Sequence, residues 1–247
     1  MENASAAIDP AIQPKEKLII ALDVDTAAEA RSLVDELRGR VGAFKVGMQL
    51  FTAAGPQLVR EFVDSGIKVF LDLKFHDIPN TVAMAAVEAA RLGVWMLNVH
   101  ASGGREMMEA TRASVHEACE KGSFAKPILI AVTVLTSSDQ STLAETGVTS
   151  DLADQVLNLA KLAYSSGFDG VVASPLEIGM IRKSAIGKDL LIVTPGIRPI
   201  SATKDDQKRV MTFAEAEAAG ANYMVVGRPV TQAPNKLAAI DVILSGQ

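Results

Sequence analysis

Apolar and polar positions along this chain follow a repeating two-part rhythm. Short uninterrupted runs of Val, Ile, Leu and Phe are followed by stretches whose apolar residues recur every three to four positions, the spacing of one helix face. The runs fall at 17–24, 43–48, 68–74, 94–100, 127–134, 168–173, 190–194 and 222–226. Between and after them, helical patterns cover 26–40, 51–65, 79–92, 104–121, 151–166, 175–184, 213–219 and 231–244. Thr26 and Glu29 have the spacing of a capping box at the first of these helices. The strands are apolar throughout, with no half-polar alternation, as expected of strands covered on both faces of a parallel sheet. Gly66, Gly93, Gly167 and Gly220 each stand between a helical pattern and the next strand, where a helix C-cap belongs. Eight strand–helix units in 247 residues predict an α/β fold, a single (β/α)8 TIM barrel. An open doubly wound sheet is the rival, but Asp23-Val24-Asp25 follows the first strand where a Gly-rich fingerprint would stand. Residues 1–14, polar and Ala-rich with two prolines, read as a flexible tail, and 15–247 as one catalytic domain.

Composition narrows the function classes. Hydrophobic residues make up 49% and charged residues 21%, an ordinary globular mix, and the net charge of -5 argues against nucleic acid as a partner. The single cysteine, Cys119, has no internal partner for a disulfide and sits in a helical pattern without the neighbours of a nucleophile. No apolar run is long enough to span a membrane, and no basic segment leads into an apolar one at the N-terminus. The expectation is a cytoplasmic protein without a membrane partner. No Cys/His cluster is present and lysines interleave the carboxylates, so no metal site is expected.

Chemistry concentrates where the strands end. In a β/α barrel the active site gathers at the C-terminal ends of the strands, and here those ends carry Asp23, Lys45, Asp72 with Lys74, Asn98 with His100, Thr133, Thr194 and Arg228. Strand alternation sets Asp23 with Ala21, Lys45 with Ala43 and Gly47, and Asp72 with Phe70 and Lys74, so the charges converge on one mouth. Opposite charges at the inner end of an apolar strand are costly unless paired. They serve either a reaction or a structural ion-pair plug. The segments Val193–Pro199 and Val226–Pro229 follow strands seven and eight, where barrels commonly hold a phosphate, and Gly227 with Arg228 supplies backbone access and a bidentate cation. Thr136, past strand five, can offer a hydroxyl to a polar ring. The polar stretch 198–212 is long for a βα connection and reads as either a lid or a disordered loop, and Gln207 would reach a ligand if the loop closes. His76 reads as a turn residue, His100 as an orienting neighbour and His116 as surface.

These motifs together resemble the orotidine 5′-phosphate decarboxylase family. The resemblance rests on Leu22-Asp23, Lys45-Val46-Gly47, FLDLKFHDIPNT at 70–81, NVHASGG at 98–104, AVTVLTS at 131–137, VTPGIRP at 193–199, Gln207 and VVGRPVT at 225–231. It covers the chain from about Lys17 to its end, with no departure in the motifs. It implies that Lys45, Asp72, Lys74 and Asp77 form a catalytic array of alternating charge, with Lys74 the proton donor. It further implies that Asp23 and Lys45 hold ribose hydroxyls, that Thr136 contacts the pyrimidine, and that Arg198, Gln207, Gly227 and Arg228 grip the phosphate. Asp77, Ile78 and Thr81 would complete the neighbouring subunit's site in a homodimer, and no cofactor would be required. Two other readings stay open: a Mg²⁺-dependent sugar-phosphate decarboxylase or lyase on the same barrel, and a non-catalytic nucleotide-binding barrel.

Overall fold

The computed structural model describes residues 12–198 and 210–246, so the expected tail lies outside the described residues up to position 11. Pro14–Lys17 forms a 3₁₀ turn leading into the first strand. In chain order the elements are β1 (Leu18–Ala21), α1 (Ala27–Leu37), β2 (Ala43–Gly47), α2 (Met48–Asp64), β3 (Val69–Phe75), α3 (Pro79–Arg91), β4 (Met96–His100) and α4 (Gly104–Gly122). They continue with β5 (Ile128–Val132), α5 (Gln140–Glu145), α6 (Leu152–Ser165), β6 (Gly170–Val172), α7 (Ile178–Lys183), β7 (Leu191–Thr194), α8 (Phe213–Ala219), β8 (Tyr223–Val226), α9 (Arg228–Thr231) and α10 (Lys236–Ser245). All eight strands are parallel and join in sequence order, with β8 closing on β1. The expected TIM barrel is therefore present.

Alternation along each strand divides the core in two. Leu18, Ile20 and Leu22 face outward with Phe44, Val46 and Leu71, packing against the helices. Ile19, Ala21, Ala43, Phe70, Met96, Ile130, Val193 and Val225 fill the barrel itself. Each fully buried Val, Ile, Phe or Met among them contributes about 1.5–3 kcal/mol. At the level of Ala21 and Phe70 the apolar filling gives way to polar interior side chains, beginning with Lys45. The capping box expected at α1 is formed, with Glu29 N–H donating to Thr26 Oγ1 at 3.2 Å and Thr26 N–H to Glu29 Oε2 at 3.1 Å.

Four details depart from the sequence reading. The short helix α5 was not anticipated: it buries only Leu143 and is started by Asp139, whose carboxylate accepts from Thr142 N–H at 3.1 Å. The closing helix expected over 231–244 begins only at Lys236, because Pro234 cannot donate within a helix and Asn235 caps α10, and the separate short helix α9 ends at Thr231. His116, expected at the surface, is half-buried on α4, and burial holds its imidazole below the ordinary range. Helix α2 kinks at Gly55, whose φ of 72° precedes Pro56. Among the described residues no helix is long and apolar enough to cross a membrane.

Candidate active site

The polar interior begins with Lys45, in the middle of β2 and level with Phe70 of β3. Its ammonium lies 3.3 Å from Asp23 Oδ1 at the end of β1 and 3.2 Å from Asp72 Oδ2 on β3. Gly47 leaves room for that ammonium, since a Cβ there would stand 3.2 Å from Lys45 Nζ. Asp72 holds Lys74 on its other oxygen, with Nζ to Oδ1 at 2.6 Å. Asp23, Lys45, Asp72 and Lys74 thus form one continuous row of alternating charge across three strands. Burial by itself would lower the Lys45 value, but the two carboxylates outweigh it and hold the ammonium above its ordinary range. Burial would likewise raise Asp72, only 8% exposed, yet Lys45 and Lys74 hold its carboxyl below the usual carboxylate range. The row is charged because it is mutually paired.

Lys74 reaches the mouth by an irregular route. The ladder between β3 and β4 pairs Leu71 with Leu97 and Phe75 with Val99, so 72–74 bulge opposite Asn98 alone. Lys74 itself has a φ of 51°, in the left-handed region. Regular alternation does not continue through 72–74, and Lys74 still reaches Asp72 and the cavity because of the bulge. Asn98, 0% exposed, accepts from Lys74 N–H at 2.8 Å and donates from Nδ2 to Asp72 Oδ1 at 2.6 Å. The sequence reading placed Asn98 among the polar strand ends without a role, and its parity with Met96 was the available signal. Beyond it, His100 stacks obliquely on His76 with ring centroids 5.5 Å apart. Burial, then His76 and Lys74, hold the His100 imidazole below its ordinary range.

A cavity of about 250 Å³ opens above the charge row. Asp23, Lys45, Asp72 and Lys74 line it together with Gly227 and Arg228. Thr136 and Leu135 form part of the rim, and Pro195, Gly196 and Arg198 come from the segment after β7. A Cβ at Gly227 would stand 3.4 Å from Asp23 Oδ2, an ordinary van der Waals contact, so Gly227 lies beside the Asp23 carboxylate. Arg198 N–H donates to Met211 O at 3.0 Å, which joins the two ends of the long loop at its base. Gln207 falls outside the described residues, as does most of the stretch 198–212. Three expected site residues do not line this cavity. Asp77 accepts from Ile78 N–H at 2.7 Å, and Asp77, Ile78 and Thr81 are all exposed. Ile78, 67% exposed, shares a face of α3 with Thr81 and the exposed Met84. Among the described residues no group of three or more His, Cys, Asp or Glu could hold a metal ion.

Such a mouth can bind a small anion at the arginine end while presenting an ammonium, fixed between carboxylates, to an atom that gains negative charge. The chain is 53% identical over 233 residues to orotidine 5′-phosphate decarboxylase of Syntrophotalea carbinolica, covering 94% of this chain and 95% of the relative. It is 50% identical over 236 residues to the protein of that name from Hydrogenovibrio crunogenus, covering 96% and 98%. The crystal structure of orotidine 5′-phosphate decarboxylase from Lactobacillus acidophilus is similar with a TM-score of 0.80 at 39% identity, covering 93% of this chain and 97% of that one. With residues 16–243 matching its family model, the chain belongs to the orotidine 5′-phosphate decarboxylase / HUMPS family.

Proposed function

We propose that this chain decarboxylates orotidine 5′-phosphate to uridine 5′-phosphate, a carboxy-lyase step of pyrimidine biosynthesis carried out in the cytoplasm without a cofactor. The observation that carries the reading is the Lys74 ammonium, 2.6 Å from Asp72 and facing the cavity that Arg228 also lines. The C6–carboxylate bond breaks, CO2 leaves, and the electron pair stays on C6 in an orbital that the ring cannot delocalise. A preorganised cation beside that carbon stabilises the developing charge without reorganising in the transition state. Lys74 then gives C6 a proton and is reprotonated from water. Asp72 holds the ammonium in place and also crowds the departing carboxylate.

In this scheme Asp23 and Lys45 bind ribose hydroxyls, Thr136 meets the pyrimidine ring, and Arg198, Gln207, Gly227 and Arg228 hold the phosphate. Gripping a group remote from C6 supplies binding energy that closes the site around the reacting carbon. The working unit is a homodimer. The support for this is the exposed apolar face of Ile78 and Met84 on α3, next to Asp77 and Thr81. These side chains would reach the partner's mouth and place a second carboxylate beside its Lys74. The organisation is one catalytic domain from residue 15 onward.

The test is direct. Purified protein mixed with orotidine 5′-phosphate should show the ring absorbance change of conversion to uridine 5′-phosphate, undiminished by a metal chelator. Activity abolished by chelation and restored by Mg²⁺ on a sugar phosphate would instead assign the chain to the other chemistry of its family. Binding of the nucleotide without turnover would leave a binding protein.

A further inference from the structure

We infer that Asn98 is the positioning residue that holds the Lys74 ammonium and the Asp72 carboxylate in register, an assignment that rests on the decarboxylase reading above. Three residues of β3, Asp72, Leu73 and Lys74, stand opposite Asn98 alone because the β3–β4 ladder shifts between Leu71 and Phe75. A bulge of this kind leaves backbone groups without their regular cross-strand partners. The Asn98 side chain supplies one, accepting from Lys74 N–H at 2.8 Å. Its amide nitrogen donates to Asp72 Oδ1 at 2.6 Å, on the same oxygen that Lys74 Nζ approaches to 2.6 Å. The orientation of the amide follows from its partners: a backbone N–H only donates and a carboxylate only accepts, so no flipped arrangement satisfies both.

The consequence is mechanical. Lys74 carries a Cβ in the left-handed region at φ 51°, a conformation that persists only when its surroundings hold it. Asn98 is completely buried on β4, a strand whose own position is set by the barrel. It therefore ties the strained residue that carries the ammonium to the scaffold, and ties the carboxylate that aims the ammonium to the same point. Asp72 Oδ2 is already held by Lys45 at 3.2 Å, so with Asn98 on Oδ1 the carboxylate plane is fixed at both ends. Asn98 does not itself line the cavity, so it acts through these two residues.

The experiment compares wild type with Asn98→Ala and Asn98→Asp, after circular dichroism has established which are folded. For Asn98→Ala, kcat on orotidine 5′-phosphate should fall about 100-fold, the effect of a displacement near 1 Å. The dissociation constant for uridine 5′-phosphate should stay within about threefold, because the phosphate and ribose contacts are untouched. In Asn98→Asp the ionised carboxylate still accepts from Lys74 N–H but repels Asp72. Once protonated it regains both the donor and the acceptor of the amide, so kcat should recover as the pH is lowered, against a flat or falling wild-type profile. A residue with a merely structural role would not produce that inversion. Deuterium exchange at the Lys74 amide, faster in Asn98→Ala at neutral pH because its acceptor is gone, tests the bridge without any turnover. If the wild type did not act on orotidine 5′-phosphate, the decarboxylase reading would fail while the exchange result still judged the bridge. Wild-type kcat in Asn98→Ala, or an unchanged Lys74 amide exchange rate, overturns the assignment. Should Asn98→Ala not fold, the pH profile of Asn98→Asp decides, and a profile parallel to wild type overturns it equally.

Discussion

Replacing Lys74 by alanine removes the cation on which the proposed chemistry depends, and the structure sets the size of the effect. The ammonium lies 2.6 Å from Asp72 Oδ1, and its side chain is 24% exposed. Loss of one preorganised donor to developing charge costs about 10²–10³ in kcat. Loss of the positioned proton donor costs about 10²–10⁴ more. Combined, these amount to roughly 10⁴–10⁷, or about 5–10 kcal/mol of transition-state stabilisation. Stability should change far less. Asp72 keeps Lys45 on Oδ2 at 3.2 Å and Asn98 on Oδ1 at 2.6 Å, so its carboxylate is not orphaned, and the loss should be about 1 kcal/mol or less. Lys74→Gly sharpens the comparison: without a Cβ it is relieved at φ 51° and should be about 1 kcal/mol more stable than Lys74→Ala, yet equally inactive. Turnover would be followed by ring absorbance at high enzyme concentration, product binding by calorimetry and stability by urea unfolding. A Lys74→Ala enzyme with kcat within about tenfold of wild type would remove the lysine from the chemical step.

Four further outcomes follow from the same geometry. Arg228→Ala should raise KM for the nucleotide by about 10–100-fold with a smaller loss in kcat, and steady-state kinetics showing an unchanged KM would contradict the phosphate assignment. Asp72→Asn leaves Lys45 and Lys74 facing one another and should cost about 3 kcal/mol in urea unfolding at neutral pH. Asp72 is held below the usual carboxylate range, so its contribution is present at neutral pH and is lost as the pH falls through that range; the gap between variant and wild type should narrow in acid. For His100 the fold favours the neutral imidazole, so wild-type stability falls as the pH drops through about 6.5 and the unfolded chain takes up the proton. His100→Gln should lose less Tm than wild type between neutral and mildly acid buffer, and parallel Tm curves would count against the burial argument. Lys74→Ala and Asp77→Ala, each inactive alone, should regain roughly a quarter of wild-type activity when mixed, since half the dimers are hybrids with one intact site. Mixtures that stay inactive while subunits demonstrably exchange would exclude the shared site.

The alternation of apolar runs and helical patterns determined the barrel, because strands covered on both faces must be apolar throughout and a helix against them only on one stripe. Strand parity was enough to turn Lys45 and Asp72 to the barrel mouth, since side-chain direction along a regular strand is settled within the segment. What those groups touch could be decided only by register between segments far apart in sequence. The pairing of Lys45 with Asp23 and Asp72 depends on how β1, β2 and β3 slide against one another. The bulge that bends Lys74 toward Asp72, and the single Asn98 that opposes it, exist only in the β3–β4 ladder. The partial burial of His116 is likewise set by neighbouring elements and leaves no mark on its own helix. Local periodicity therefore chose the architecture and the polarity of each strand end. Contacts between distant strands, which no single segment encodes, chose which charges meet and how firmly they are held.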